Sequence, residues 1–178
     1  TLDRSSAASD VYKRQLFKAV KPKGGEMPVV MGAGGSGILL HEAIGHAFEA
    51  DFNRKKTSIF SDLLGKKVCN EHINVVDDGT IPFNRGSVNF DDEGVEGQKT
   101  YIVKEGILTS YMHDRISAKF YGVAPTGNGR RDTFRCTPIP RMRATYMEAG
   151  NVREEDIIST VKQGIYAQNF TNGQVQIG

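Results

Sequence analysis

The chain has 178 residues, 38% apolar and 25% charged, which fits a globular domain or a piece of a larger protein and excludes an acidic disordered tail and a membrane bundle. Its 23 basic and 21 acidic side chains leave a net charge of +2 spread along the chain, so nucleic acid is not an expected partner, because phosphate binding needs a concentrated basic face. Two cysteines, Cys69 and Cys136, make neither a disulfide framework nor a CxxC zinc site, and no apolar run approaches the roughly 20 residues that span a bilayer. Ordinary buried thiols and a soluble cytoplasmic protein, with no membrane partner, are the expectation.

Residues 1–15 have no hydrophobic period and no signal-peptide core. Asp10 to Gln15 reads as the translated end of a transposon adapter, so this stretch is taken as adapter-derived or a disordered tail, and residues 16–178 as the domain. Pro28 to Met31 is a short apolar run, expected as a buried strand, that leads into the glycine loop Gly32 to Gly37. From Ile38 to about Phe52 an unbroken apolar side predicts one helix, with a polar loop over residues 53–61. Ile73 to Val76 predicts a strand closed by a turn at Asp77, Asp78 and Gly79. Thr100 to Lys104 and Ile107 to Tyr111 predict a hairpin about Glu105 and Gly106.

His113 to Tyr121 predicts a short helix with Ile116 and Phe120 on one face. Ala124 to Arg131 is a glycine-rich basic loop. Asn151, followed by Glu154, opens a capping-box-like helix to about Gln163 that Gly164 stops. Asn172 and Gly173 mark a hairpin whose second strand the chain does not complete, so the chain reads as an internal fragment of a longer protein. The alternation lacks a regular βαβ rhythm. The expected class is therefore α+β, a mostly antiparallel sheet packed with a metal-site helix and two further helices.

Within the first helix lie His41, Glu42 and His46. Two imidazoles and an adjacent carboxylate resemble the zinc-protease pattern HExxH, with one residue too many between the histidines. On a regular α-helix a spacing of five turns the rings about 140° apart, too divergent for one ion. An i→i+5 bulge or local unwinding near Gly45 would bring them together. The bland alternative is that Glu42 pairs with His46 on an exposed face and no metal binds. His72 and His113 read as isolated surface or partner-satisfied histidines. Glu49 reads as part of a solvated helix end, with a role as ligand or ligand support the sharper alternative.

Gly32, Gly34 and Gly37 also fit the dinucleotide spacing GxGxxG, but the acidic residue of that fold ends a second strand, and only a helix is expected before Asp51. The glycines, Gly34 and Gly35 in particular, read better as backbone that approaches an extended substrate strand. In the loop Gly127 to Arg131, Asn128, Arg130 and Arg131 either offer donors to a peptide carbonyl or carboxylate, or belong to a structural turn whose arginines pair with Asp91, Asp92 and Glu93. That acidic triplet lacks the spaced ligands of a calcium loop.

These residues resemble the TldD/PmbA (TldD/TldE) metallopeptidases. The resemblance runs from Met27 to Gly178 and is carried by Pro28 to Val30, Leu39 to His46, Asp51 to Arg54, Val75 to Thr80, Arg85 to Ser87, Asp91 to Gly94, Gly122 to Arg131, Pro140 to Met142, and Gly164 to Tyr166 with Gly173 and Gln174. With His41, Glu42 and His46 all present, the chain is similar to the metal-bearing TldD side. The resemblance implies a zinc-dependent peptidase acting on unfolded or extended peptides beside a TldE/PmbA-like partner subunit. It implies zinc held by His41 and His46, and Glu42 as the base that takes a proton from the attacking water. The third ligand of the family, a Cys in a glycine-rich segment near the C-terminus, has no counterpart here. Neither Cys69 nor Cys136 stands in its place, so the fragment alone is expected to be inactive. A non-catalytic scaffold and substrate-channel role is the alternative.

Overall fold

The centre of the fold is a strand made of two valines and two aspartates. In the computed structural model, which describes residues 14–169, Val75–Asp78 (β2) has all four residues buried. It is flanked on both sides by antiparallel neighbours, Lys99–Lys104 (β3) and Thr145–Met147 (β7). Ile107–Leu108 (β4) pairs with the outside of β3, giving the sheet order β4-β3-β2-β7. The β3–β4 turn has φ of 51° at Glu105 and 75° at Gly106, the double left-handed conformation of a tight hairpin. A Cβ on Gly106 would stand 2.7 Å from the carbonyl oxygens of Cys69 and Asn70, so glycine is required by space as well as by φ.

The expected turn at Asp77 and Asp78 is instead strand. Asp77 is buried because donors converge on its carboxylate: Oδ1 accepts from the Arg143 amide at 2.9 Å and Thr145 Oγ1 at 2.7 Å, and Oδ2 from Asn128 Nδ2 at 2.6 Å. Those bonds offset the upward push that burial gives its pKa. The apolar core packs Val75 with Phe48, Ile102, Leu108, Tyr111, Met112 and Met142. Each large side chain so buried stabilises the fold by about 1.5–3 kcal/mol.

The single helix expected over residues 38–52 is four pieces. Gly37–Leu39 (α1) runs into a π-helical turn, Leu40–Gly45, then a 3-10 turn, His46–Phe48. Glu49 is extended, at φ −69° and ψ 128°, before Ala50–Arg54 (α2). The break at Glu49 is held by the main chain of Met112, which donates to Phe48 O and accepts from the Ala50 amide, both at 3.0 Å. The Phe48 ring lies 4.4 Å from that of Phe60, so the segment is pinned to the core just past the second histidine of the pair.

Arg115–Tyr121 (α3) starts at Asp114, whose side chain accepts from the Ser117 amide at 2.7 Å, and ends on Gly122 at φ 68°. Its buried residues are Ser117 and Ala118, while Ile116 and Phe120 are exposed, so the apolar spacing marked the outer face. Glu154–Ser159 (α4) has Arg153 at its N-cap and no side-chain cap; the expected cap at Asn151 does not form.

Two small ribbons complete the α+β architecture. Gly129–Arg130 (β5) and Ile139–Pro140 (β6) pair antiparallel. Val29–Met31 (β1) pairs in parallel with Ile165–Ala167 (β8), a strand the periodicity did not announce. Gly164, expected as a helix stop, serves this pairing: a Cβ there would be 2.5 Å from Pro28 O. β1 is not the buried strand expected, since Val29 is 51% exposed and Met31 46%. The Asn172–Gly173 hairpin and residues 1–13 of the expected tail lie outside the described residues.

Candidate metal centre

The π-helical turn resolves the spacing problem set by the two histidines. The His46 amide donates to His41 O, an i→i+5 bond, so residues five apart stack one above the other instead of diverging. The rings of His41 and His46 meet edge to face, centroids 4.8 Å apart and planes at 86°. Ligand atoms of His41, Glu42 and His46 all lie within 4.8 Å of one another. Gly45 sits inside this turn at an ordinary helical φ of −57°. Its missing Cβ makes room for Met142, whose Sδ would be 2.4 Å from a side chain placed there.

His46 is held from behind. Its Nδ1 lies 3.1 Å from Oε1 of Glu49, and the other oxygen of Glu49 accepts from Arg141 Nη1 at 2.8 Å. With Nδ1 turned to Glu49, Nε2 is the ring nitrogen left for an ion; when Nδ1 donates to the Glu49 carboxylate, Nε2 keeps its lone pair, the state in which imidazole binds a metal. Burial, followed by the nearby charge of His41, pushes the His46 pKa below its ordinary value, which keeps the ring neutral at pH 7. Glu49 is fully buried, not the solvated helix end expected. Burial pushes its carboxyl up, and the Arg141 guanidinium 2.8 Å away opposes that push and favours the carboxylate.

The rings face an open cleft of about 440 Å³ lined by His41, His46, Glu49, Arg131, Arg141 and Met142, with Arg130 on its wall. The structure thus brings Arg130 and Arg131 to the histidines. The loop that carries them is tied to the acidic triplet by its main chain, not by the arginine–carboxylate pairs of the structural alternative: Gly129 N donates to Asp91 Oδ2 and Arg131 N to Asp92 Oδ2, both at 2.8 Å, and the Arg131 guanidinium reaches the main-chain oxygen of Asp92. Asn128 does not face the cleft. It is fully buried, its amide spent on Asp77 and on Arg141 O. Gly34 and Gly35 are not part of the cleft wall, and stand in the loop that joins β1 to α1.

Two imidazoles whose ligand atoms converge beside a carboxylate fit zinc, which binds His at about 2.0–2.1 Å in a tetrahedral set. Neither cysteine joins them among the described residues. Cys69 is half-buried, and Cys136 is exposed, contrary to the expected buried thiol. His72 is exposed. His113 is buried with an unpartnered Nδ1, neither a surface nor a satisfied histidine. No strand stands between Gly37 and Asp51, which removes the dinucleotide reading. A larger cleft of about 610 Å³, walled by Phe83, Val88, Phe90 and Glu96, offers no metal-binding cluster. No described helix is long and apolar enough to cross a membrane.

The sequence reading missed Arg141 and Met142 as site residues. Their only signal was membership of the Pro140 to Met142 stretch, which carries no chemistry until the fold brings it under the histidines.

Comparison with known proteins places these features among relatives. The family model for the PmbA/TldA metallopeptidase C-terminal domain matches residues 24–178. A metalloprotease TldD homolog from Buchnera aphidicola is 54% identical over 86% of the chain, and one from Haemophilus influenzae 52% over 90%. A zinc metalloprotease TldD homolog from Saccharolobus solfataricus is 35% identical over 97%. The chain spans 32%, 33% and 39% of the length of these three relatives, respectively. Among solved structures, TldE from Thermococcus kodakarensis superposes with a TM-score of 0.72 at 27% identity, covering 86% of this chain and 35% of that one.

Proposed function

Because the chain belongs to the PmbA/TldA metallopeptidase family, we propose that it is the metal-site region of a zinc-dependent peptidase that hydrolyses extended or unfolded peptides. The observation that carries this reading is the convergence of His41, Glu42 and His46 within 4.8 Å across a π-helical turn. His41 and His46 hold the zinc, and a further ligand comes from outside these residues. Bound zinc supplies Lewis acidity, acidifying water and polarising the scissile carbonyl. Glu42 takes a proton from the attacking water as its oxygen bonds to the carbonyl carbon, and passes it to the amide nitrogen as the C–N bond breaks.

Substrate geometry follows from β1. Among the described residues it pairs only with β8, through Pro28 O and Gly32 N, which leaves the edge bearing Val29 and Met31 open beside the Gly34 and Gly35 loop. An extended peptide adds to such an edge through its main chain, whatever its side chains. Arg130 and Arg131 offer guanidinium donors to its carbonyl or carboxylate groups. A TldE/PmbA-like partner subunit and a cytoplasmic setting belong to the same reading. Likeness to TldE supports the scaffold alternative, in which the region shapes a substrate channel without turnover. The complete His41, Glu42 and His46 set favours the enzyme.

The test is Glu42→Gln in the full-length protein. Zinc stoichiometry should stay at the wild-type value while peptide hydrolysis falls about 10²–10⁴-fold. Equal turnover by wild type and variant would remove Glu42 from the chemistry, and a wild type without zinc would leave only the scaffold.

A further inference from the structure

We propose that Glu49 and Arg141 form a positioning pair that locks the His46 ring and thereby sets the metal affinity of the site. The proposal rests on the reading of His46 as a ligand. Glu49 stands at the one extended residue between the 3-10 turn and α2, so its side chain leaves the helical path and turns inward, where it is fully buried. Both of its oxygens are occupied: Oε1 by His46 Nδ1 at 3.1 Å and Oε2 by Arg141 Nη1 at 2.8 Å. Glu49 stands outside the set of ligand atoms that converge, His41, Glu42 and His46, so it supports a ligand and is not one.

Arg141 is itself fixed from the centre of the fold. Its Nη1 also donates to Pro140 O at 2.8 Å. Its amide donates to Asn128 O at 2.9 Å, its carbonyl accepts from Asn128 Nδ2 at 3.0 Å, and the same Nδ2 reaches Asp77 on β2. A continuous set of hydrogen bonds therefore runs from Asp77 on the central strand through Asn128, Arg141 and Glu49 to the imidazole. The His41 ring packs edge to face on the His46 ring, so holding one orients the pair. Without the carboxylate, His46 is free to rotate and to carry its proton on either nitrogen, and each alternative withdraws Nε2 from the metal.

The experiment measures zinc affinity in the full-length protein by competition with a chromophoric chelator, for wild type, Glu49→Ala, Glu49→Gln and Arg141→Gln, with His41→Ala and His72→Ala as references. Thermal unfolding of each metal-free form monitors folding, since a merely structural role would lower that transition and leave zinc affinity unmoved. Glu49→Ala should weaken zinc 10–100-fold, in the range typical of groups that orient a ligand, with smaller losses for Glu49→Gln and Arg141→Gln and none for His72→Ala. If Glu49→Ala does not fold, Glu49→Gln, which keeps the size of the side chain, decides. Wild-type zinc affinity in a folded Glu49 variant overturns the proposal. Wild-type affinity in His41→Ala overturns the ligand reading instead, so the two failures are distinguishable.

Discussion

His46 and His113 are the same side chain in two environments, and burial lowers the pKa of both. His46 is half-open to a cleft, has Glu49 on one nitrogen, and meets the ring of His41. His113 is 2% exposed and packs against Tyr121 with ring centroids 5.4 Å apart and Tyr111 at 6.2 Å. Its Nδ1 has no partner, and its main chain is tied to Thr126 Oγ1. Burial keeps both rings neutral. A site needs in addition a second donor converging on the same space and a partner that chooses the free nitrogen. His46 has both features and His113 has neither.

The largest effect separates the two directly. His46→Ala should abolish zinc binding and hydrolysis by the full-length protein, whereas His113→Phe should keep both at the wild-type level, measured as metal content and turnover of one extended peptide. Zinc loss in the His113 variant, or its retention in the His46 variant, would break the distinction between a packed and a coordinating imidazole.

A second test uses the cost of burying His113. Its pKa falls from the ordinary 6.5 to about 4, chiefly through burial, with Asp114 opposing. A folded-state pKa below the unfolded one means that the unfolded chain takes up the proton first as pH falls. Stability is therefore intact above about pH 6.5 and is lost progressively down to about pH 4, by on the order of 3 kcal/mol. Denaturant unfolding of wild type and His113→Phe across this range should show the wild type losing stability more steeply. Parallel profiles would mean that His113 finds a partner when protonated.

The need for a distorted turn was legible because a five-residue spacing between histidines is incompatible with convergence on a regular helix. The structure has its i→i+5 bond at that place. The hairpin near residues 99–108 was legible from two short segments about the Glu105–Gly106 pair. Glu49 was not, because a carboxylate three residues past a histidine reads alike whether solvated or buried. What decides is Arg141, 92 residues away. The loop of Asn128 leaves a ligand-facing and a structural reading open, since nothing local announces that Asp77 will draw its amide inside. The parallel pairing of β1 with β8 joins segments separated by most of the chain, and short-range pattern holds no record of such contacts.

Gly45 gives the smallest effect and the sharpest reading of how the turn is built. Its φ of −57° suits any residue, and alanine gains about 1 kcal/mol over glycine in helical propensity. The opposing term is steric: the new Cβ would stand 2.4 Å from Met142 Sδ, 3.2 Å from its Cε and 3.3 Å from Leu40 O. A thioether can shift, so Gly45→Ala should cost a net of about 1 kcal/mol, the low end for an overpacked core. Truncating the sulfur side chain first, in Met142→Ala, should turn the same glycine substitution neutral or stabilising, a coupling read from a double-mutant cycle of unfolding free energies. Additive effects would mean that glycine is there for the backbone of the π-helical turn. Coupled effects would locate its role in the approach of Met142, which seats the neighbouring Arg141 beneath Glu49 and His46.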